Sequence, residues 1–396
     1  MKEQKRITKK KRNISALGAA GAAAACMIVI LSVLNIIIPD KEFSEKENRV
    51  LAQFPKISWT ALSEGTFSEA AETYVADQFA GRDVWIRIRS EMELALGKYE
   101  ANGIYKGDDG YFFEETTVPE DGFIEETAAA VRGFAGRHGE VPVTVLVAPN
   151  AANILSEKLP AFAPVRDQNP DMDQLYEALL SDGSGGNIST VDLRETFRAE
   201  KEGGQLYYRT DHHWTTRGAY LAFQACGAAL GIDPSGMGIE RYALTHEFCG
   251  SMISKSGFPA EAPDTIETFI PFSDVSYVVA YTEEGEKASS VYRPENLEKN
   301  DKYTVFFGGN YPQIDIRTTS SRREQLLVIK DSYANCFVPF LIPYYSGITM
   351  IDPRYYNGDI DALMKEKGID RVLFLFNANT FFQEKSIADV LQCQES

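Results

Sequence analysis

Histidine and cysteine are scarce in this sequence, and their scarcity limits the kinds of site it can form. The chain has 4 histidines and 5 cysteines among its 396 residues. No two cysteines have the Cys-x-x-Cys spacing of a zinc ribbon, so a structural zinc site of that class is not indicated. Two of the histidines, however, are adjacent, at His212 and His213. Because histidine is the side chain best suited to moving protons near neutral pH, this pair indicates chemistry.

Strong clusters of positive charge are absent beyond the first 12 residues. The formal net charge is −17, and seven of the 40 basic residues lie within residues 2–12, so the rest of the chain is more acidic still. Phosphate binding needs clustered cations, and nucleic acid is therefore not expected as a partner. The acidic remainder fits a soluble domain that does not adhere to its neighbours.

The N-terminus carries a long uncharged run. Residues 14–38 hold no charged side chain and are long enough to cross a hydrocarbon core of about 30 Å as a helix. A cleavable signal peptide is the alternative, but the alanine-rich part precedes the most apolar part, the wrong order for cleavage. With basic residues kept inside, we predict a cytoplasmic tail (1–13), a single-pass transmembrane anchor in the cell membrane (14–38), a juxtamembrane stalk (39–57) and an extracytoplasmic domain (58–396).

Helical and strand patterns alternate in the predicted extracytoplasmic domain. Short apolar, β-branched runs, which are typical of buried parallel strands, occur at residues 143–147, around 191, at 326–329 and at 372–376. Helical stretches lie between these runs, and this alternation predicts an α/β fold, a three-layer α/β/α sandwich around a mostly parallel sheet. Residues 265–320 have a different pattern, and we predict that they form an inserted antiparallel β-hairpin region.

Ser332 is the best candidate for a nucleophile. It follows the predicted strand at 326–329, where a strand turns into a helix and exposes a side chain above the sheet. A serine hydroxyl needs a base, usually a histidine that is itself oriented by a carboxylate. Asp211 and His213 can supply both groups, because residues i and i+2 of an extended chain point to the same side. In that conformation His212 is expected to point away.

Each of these residues also has a simpler explanation. Ser332 can be a helix N-cap, and the two histidines can lie on an exposed strand edge. The Asp-His-His sequence can also indicate a metal site. Adjacent histidines on a strand face opposite ways, however, so at most two of the three residues could bind one ion. We therefore expect no metal and no other cofactor.

An acyl-transfer site also needs hydrogen-bond donors where negative charge develops. Gly309 and Asn310 are candidates, along with the backbone N–H of Ser332, and Asn377 is a second option at the end of another predicted strand. Arg354 follows a further apolar run and could hold a charged or polar group of a substrate. The alternatives are an ordinary tight turn at Gly309 and Asn310 and a surface ion pair at Arg354.

The stretch "TDHHWTTRGAY" resembles the Asp-His-His-Trp motif that names the DHHW protein family. That family is similar to the SGNH-hydrolase-like alginate O-acetyltransferases, whose motif reads Asp-Thr-His-Trp. Further matching stretches are "ENRVLAQFP", "YVADQFAGRD", "GDDGYFF", "FFGGNYP" and "VIKDSYANCFVPFL". The resemblance implies an SGNH-like fold with Ser332 as nucleophile, His213 as base and Asp211 as its orienter. Two positions depart from the relatives: Lys330 replaces the glycine of SGNH enzymes, and His212 replaces a threonine.

The same resemblance implies a function. It points to an acyl-transfer enzyme, an O-acetyltransferase or O-acetylesterase that acts on a cell-envelope or secreted polysaccharide. Acetyl-CoA does not occur outside the membrane, so a transferase would need a partner that delivers acetyl groups, and the resemblance implies a membrane-bound O-acyltransferase. The alternative from a different class is a non-catalytic polysaccharide-binding or assembly protein that retains the SGNH-like fold.

Overall fold

The structure, a computed structural model, describes residues 2–44, 49–181 and 186–392. The chain forms two compact units, Met1–Ala95 and Leu96–Ser396. The first unit contains α1 (Lys2–Ile37), β1 (Phe43–Ser44), β2 (Arg49–Val50), α2 (Trp59–Ser63), α3 (Thr66–Gln78) and α4 (Arg82–Ala95).

The predicted membrane anchor at residues 14–38 falls almost entirely within α1. Among the residues that the structure describes, no helix combines the length and the apolar character needed to cross a membrane. The structure therefore does not show the anchor. Part of the predicted stalk, residues 45–48, lies outside the described residues. The predicted start of the extracytoplasmic domain, residue 58, lies inside the first unit.

The second unit alternates helices with strands. Its helices are α5 (Phe123–Arg137), α6 (Ala151–Ile154), α7 (Asn169–Leu180), α8 (Arg194–Glu200), α9 (Thr216–Cys226), α10 (Ser251–Ser256), α11 (Ile360–Lys367), α12 (Ala378–Phe381) and α13 (Ser386–Leu391). Its strands are β3 (Glu100–Ala101), β4 (Ile104–Lys106), β5 (Phe112–Glu114), β6 (Val143–Ala148), β7 (Ile188–Val191), β8 (Ile239–Phe248), β9 (Asp264–Pro271), β10 (Tyr277–Tyr281), β11 (Glu286–Ala288), β12 (Gln313–Thr318), β13 (Gln325–Lys330), β14 (Gly347–Ile351) and β15 (Arg371–Asn377).

The central sheet has eight strands in the order β11-β10-β12-β14-β13-β15-β6-β7. The strands from β14 to β7 run parallel, whereas β11, β10 and β12 pair antiparallel at the other edge. The sheet is therefore mixed: four of its seven strand pairings are parallel, in line with the predicted mostly parallel sheet, and three are antiparallel. The antiparallel part arises because most of the predicted hairpin region at 265–320 joins the edge of this sheet. Its tight turn forces β10 and β11 to pair antiparallel, and β12 then joins them to the edge of β14.

The parallel strands are buried on both faces, and helices cover both sides of the sheet. Alternate side chains along β13 and β15 enter two different cores. One core contains Leu326, Val328, Leu373 and Leu375; the other contains Leu327, Ile329, Val372 and Phe374. Burial on both faces explains why these strands read as continuous apolar runs in the sequence. The predicted α/β sandwich is confirmed, and the carboxyl ends of its parallel strands form one edge where loops converge.

Candidate active site

The strand β13 delivers Ser332 to the edge of the sheet. A short 3-10 turn, Ser332–Cys336, begins directly after Asp331, and Asp331 is the residue that caps it. One oxygen of the Asp331 carboxylate accepts the Tyr333 N–H at 2.9 Å, and the other accepts the Asn377 N–H at 2.9 Å. Because Asp331 supplies the cap, the hydroxyl of Ser332 is not used for capping and is available for other contacts.

Asp211, His213 and Ser332 form a continuous chain of hydrogen bonds. His213 Nδ1 lies 2.5 Å from Asp211 Oδ1, and His213 Nε2 lies 2.7 Å from Ser332 Oγ. A carboxylate can only accept hydrogen bonds, so Nδ1 carries the proton and Nε2 is free to accept the Ser332 hydroxyl proton. Asp211 and His213 are buried, whereas Ser332 is partly exposed and accessible to a substrate. This is the arrangement of a serine with its general base.

The backbone that carries Asp211 and His213 is bent rather than extended. Tyr207 and Trp214 are bridged in antiparallel fashion, and the residues between them form a tight loop. As a result, His212 does not point away: its ring centroid lies 3.9 Å from that of His213. The expectation that His212 faces the opposite side is therefore wrong, because it assumed a straight strand.

Four hydrogen bonds hold the Asp211 carboxylate. Its Oδ1 accepts the backbone N–H of His213 at 3.0 Å as well as the ring Nδ1–H. Its Oδ2 accepts both the N–H and the hydroxyl of Ser251, each at 2.8 Å. The close approach of this segment requires Gly250, because a Cβ atom there would lie well under 3.0 Å from the Asp211 side chain. Asp211 is thus fixed from both sides.

His212 takes part in the same network. Its Nδ1 lies 2.9 Å from Ser251 Oγ. Since the Ser251 hydroxyl already donates to Asp211, His212 must be the donor in this contact. About one third of the His212 side chain is exposed (34%), so it lies at the mouth of the site.

The pKa values of these groups are shifted in different directions. Burial and the neighbouring His212 lower the pKa of His213 to about 4, although Asp211 acts in the opposite sense. Burial would also lower the pKa of His212, but the Asp211 carboxylate and other acidic groups outweigh it and raise that pKa. Burial alone would raise the pKa of Asp211, yet the two imidazoles and its hydrogen bonds lower it. His213 is therefore neutral near pH 7, as a general base must be.

Three aromatic side chains connect the segment of His213 to the segment of Ser332. The Tyr303 ring stacks on His213, with centroids 3.7 Å apart. The Trp214 indole N–H donates to the Tyr333 carbonyl at 3.0 Å, and the Tyr333 hydroxyl donates to the His212 carbonyl at 2.5 Å. Trp214 thus anchors the segment that follows Ser332.

Among the residues that the structure describes, Asp211, His212 and His213 also form a group that could hold a metal ion. Their ligand atoms all lie within 4.8 Å of one another. The orientation argument against a shared ion therefore does not hold in this bent loop. However, His213 Nδ1 and Asp211 Oδ1 already bond each other, and an ion would have to replace that hydrogen bond.

In the structure Asn310 lies close to the segment that carries Ser332. Its side-chain oxygen Oδ1 accepts hydrogen bonds from Lys330 Nζ at 2.9 Å and from Asn335 Nδ2 at 3.2 Å. The carbonyl of Gly309 accepts from the same Asn335 amide at 3.4 Å. Gly309 and Asn310 are therefore tied to residues on both sides of Ser332 in the sequence.

Arg354 and Asn377 have other partners. Arg354 makes a two-pronged ion pair with Asp352, with contacts of 2.8 and 2.6 Å, and Asp352 is fully buried. The Asn377 side chain donates to Asn150 Oδ1 at 2.5 Å and accepts the Asn379 N–H at 2.9 Å. Both residues lie at the same edge of the sheet as Ser332, but their side chains mainly form contacts with other residues of that edge.

Several residues of this site carry no recognisable signal in the sequence. Gly250 and Ser251 begin α10, and Tyr303 belongs to a 3-10 turn at Lys302–Val305. None of them lies in a known motif or next to the motif residues along the chain. The Asp-His-His-Trp and Lys-Asp-Ser-Tyr stretches, by contrast, are visible from residue type and spacing.

The chain is similar to several known proteins. A family described as "SGNH hydrolase-like domain, acetyltransferase AlgX" matches residues 104–256, a region that includes Asp211 and His213 and ends before Ser332. The chain is similar to a "Probable alginate O-acetylase AlgJ" of Pseudomonas putida, with 25% identity over 228 residues, which cover 56% of each chain. The chain thus spans about half the length of the curated relatives it matches.

Two solved structures have the same fold. A DHHW family protein from Eubacterium siraeum has a TM-score of 0.60 and 24% identity, covering 73% of this chain and 95% of that one. Bacillus cereus PatB1, in a structure with a sulfonyl adduct, has a TM-score of 0.58 and 20% identity, covering 70% of this chain and 95% of that one. Together these matches confirm the predicted resemblance to the DHHW family and the SGNH hydrolase-like acetyltransferase domains.

Proposed function

We propose that this chain, which resembles the DHHW family and the SGNH hydrolase-like acetyltransferase domains, is a serine acyl-transfer enzyme. Ser332 is its nucleophile, His213 its general base and Asp211 the orienter of that base. It transfers an acetyl group to or from a hydroxyl of a cell-envelope or secreted polysaccharide. Curated relatives that it matches carry the name "Probable alginate O-acetylase AlgJ", which supports this class of reaction.

The observation that supports the proposal most directly is the unbroken hydrogen-bond chain through His213. The distances of 2.5 Å to Asp211 and 2.7 Å to Ser332 are within reach for proton transfer without rearrangement. The lowered pKa of His213 keeps its Nε2 unprotonated at neutral pH. A helix cap or an exposed strand edge would require neither the burial of Asp211 nor four donors on its carboxylate.

The reaction has two halves. Ser332 Oγ attacks the carbonyl carbon of an acetyl ester while His213 Nε2 takes the hydroxyl proton. The ester C–O bond then breaks, and His213 returns the proton to the departing alcohol oxygen, which leaves an acetyl-serine. In the second half a sugar hydroxyl or water attacks the acetyl carbon and gives its proton to His213. The bond between the acetyl carbon and Ser332 Oγ then breaks, and His213 returns the proton to Ser332 Oγ. A sugar acceptor makes the protein a transferase, and water makes it an esterase.

Hydrogen-bond donors are needed for the oxygen that becomes negative in each half. The backbone N–H of Ser332 opens the 3-10 turn and has no acceptor within it, as at any helix start. The Asn310 amide is the second proposed donor, beside Gly309. Arg354 and Asn377 remain weaker candidates, because Asp352 and Asn150 occupy their side chains.

The location and partner are part of the same proposal. Residues 14–38 would anchor the chain in the cell membrane, with the N-terminus cytoplasmic and the domain at residues 58–396 extracytoplasmic. A transferase at that location needs an acetyl donor, and a membrane-bound O-acyltransferase would deliver it across the membrane. Protease treatment of intact cells that express the full-length chain with a C-terminal tag tests this topology, since an outward-facing tag is lost.

The enzymatic proposal is tested with the full-length chain and p-nitrophenyl acetate. Wild type should release p-nitrophenol, and Ser332→Ala and His213→Ala should each lower kcat by at least about 10²-fold, as in other serine triads. Ser235→Ala is a matched control, because Ser235 contacts Asp233 in a surface loop. Mass spectrometry with an added oligosaccharide then separates transfer from hydrolysis.

The alternative class predicts a different result. A non-catalytic polysaccharide-binding or assembly protein would leave wild type, Ser332→Ala and His213→Ala equally inert toward p-nitrophenyl acetate and acetylated glycans. That outcome would overturn the enzymatic proposal.

A further inference from the structure

Lys330 is a fully buried lysine, with none of its surface exposed. Burying an ammonium group is costly unless its donors are satisfied within the protein. Its Nζ donates to Asn310 Oδ1 at 2.9 Å and to Asn335 Oδ1 at 3.1 Å, and it lies 3.8 Å from Asp352 Oδ2. All three partners are polar groups at the edge of the sheet that carries Ser332. Because burial of the Lys330 ammonium group is costly, we expect this side chain to have a function at the site.

We propose that Lys330 and Asn335 are positioning residues that hold the Asn310 side chain with its N–H group directed to the reacting acyl oxygen at Ser332. This inference rests on the proposed function, which it deepens. Lys330 thereby orients one hydrogen-bond donor of the site, the side-chain amide of Asn310.

The orientation of the Asn310 amide follows from the chemistry of lysine. An ammonium group has three donors and no acceptor, so the Asn310 atom that faces Lys330 must be the oxygen. The Asn335 oxygen also faces Lys330, which leaves the Asn335 nitrogen to donate to the same Asn310 oxygen at 3.2 Å. With its oxygen held by two donors, Asn310 can only turn its nitrogen outward, and Asn310 is exposed to solvent.

The anchoring residues bracket the nucleophile. Lys330 is the last residue of β13 and precedes Ser332 by two positions, while Asn335 lies three positions after it in the 3-10 turn. The Asn310 amide is thus fixed to the same short segment that fixes Ser332 Oγ. Movement of that segment would carry the nucleophile and the donor together.

The backbone before Asn310 is shaped for this contact. Phe307, Gly308 and Gly309 all have positive φ values, of 60°, 86° and 127°. A buried phenylalanine in the left-handed region costs energy and persists only where the surroundings hold it. The bonds from Asn335 to Gly309 and Asn310 are contacts of the kind that hold such a segment.

A double-mutant cycle tests the proposal with p-nitrophenyl acetate and the full-length chain. Asn310→Ala should lower kcat by about 10²-fold, the usual effect of removing one donor to a developing oxyanion. Lys330→Met, which keeps an unbranched apolar stem, should lower kcat about tenfold in the wild-type background. In the Asn310→Ala background the same change should alter kcat by less than about twofold, because Lys330 acts only through Asn310.

Controls separate this effect from loss of folding. Lys367→Met removes another lysine that contacts an aspartate, Asp315 at 2.9 Å, outside the proposed machinery, and should leave kcat unchanged. Titration of Ser332 with an aryl sulfonyl fluoride, read by mass, should give the same reactive fraction in each variant. If Lys330→Met does not fold, Asn335→Ala tests the same coupling, since it also removes a donor to Asn310.

Two results would overturn the inference: equal losses from Lys330→Met in both backgrounds, or no loss in either. Both leave the serine mechanism intact as long as Ser332→Ala is inactive. Conversely, a Ser332→Ala variant as active as wild type overturns the proposed function itself, whatever the cycle shows.

Discussion

The phenol ring of Tyr303 lies almost flat on the imidazole of His213, with 3.7 Å between the ring centroids and 11° between the planes. The Tyr303 hydroxyl also donates to the carbonyl of Ser332 at 3.2 Å. One side chain therefore contacts both the proposed base and the backbone of the proposed nucleophile. The stack covers one face of the imidazole and restricts its tilt.

We expect the stacking, rather than the hydroxyl, to be the more important contribution of Tyr303. Tyr303→Phe keeps the ring and should lower kcat for p-nitrophenyl acetate by no more than about fivefold, since one neutral hydrogen bond is worth roughly 1 kcal/mol. Tyr303→Leu frees the imidazole and should lower kcat by about tenfold or more. Equal losses in the two variants would show that the hydroxyl contacts matter instead.

The charge of His212 should set the acidic limit of activity. His213 must be neutral to accept the Ser332 proton, and its pKa is lowered to about 4, so kcat/KM should reach its plateau well below pH 6.5. His212→Thr removes the neighbouring positive charge, which is the second cause of that lowering after burial. The pKa of His213 should then rise and the acidic limb should move to higher pH.

The measurement is a full pH profile of kcat/KM for wild type and His212→Thr. An acidic limb that stays in place or moves to lower pH would contradict this role of His212. Threonine is a fitting replacement because the similar acetyltransferases carry it at this position of the motif.

Gly250 should tolerate no side chain. An added Cβ would meet the Asp211 side chain at well under 3.0 Å and push the carboxylate away from His213. Gly250→Ala should therefore lower kcat by at least about tenfold, because a triad histidine without a correctly placed carboxylate loses its orientation. Gly136→Ala is the matched control, since nothing lies within 4 Å of an added Cβ there. Similar losses in both variants would point to a general effect of alanine.

Activity should not depend on a metal ion. The ligand atoms of Asp211, His212 and His213 lie close enough to share an ion, but two of them already bond each other in the proposed mechanism. Prolonged dialysis against EDTA should leave kcat unchanged, and added Zn²⁺ should inhibit by displacing that hydrogen bond. Loss of activity on dialysis, with recovery on addition of a divalent metal, would favour the metal interpretation.

The sequence predicted those parts of the fold that depend on local pattern. The runs of β13 and β15 are visible because burial on both faces leaves no polar position between 326 and 329 or between 372 and 376. The hairpin was predicted, but its place at the edge of the central sheet was not, because alternation indicates a hairpin and does not indicate which strand it will join. Which strand pairs with β12 depends on tertiary contacts far along the chain.

The candidate site was likewise predicted only in part. Asp211, His213 and Ser332 were identified by residue type and resemblance, and the structure brings them together. The orientation of His212 was wrong because the bend between Tyr207 and Trp214 leaves no trace in residue spacing. Ser251 and Tyr303 could not be identified, since each reaches the site from a segment without a motif and contributes a common side chain.

Two hydrogen bonds join the Asp-His-His-Trp stretch to the Lys-Asp-Ser-Tyr stretch, and they affect which parts of the fold can vary. Trp214 donates to the Tyr333 carbonyl, and Tyr333 donates back to the His212 carbonyl. These two hydrogen bonds directly link the segment of His213 to the segment of Ser332. Between the two segments, β10 and β11 contribute no residue to the site, so changes in their length or surface should leave the spacing of His213 and Ser332 unchanged.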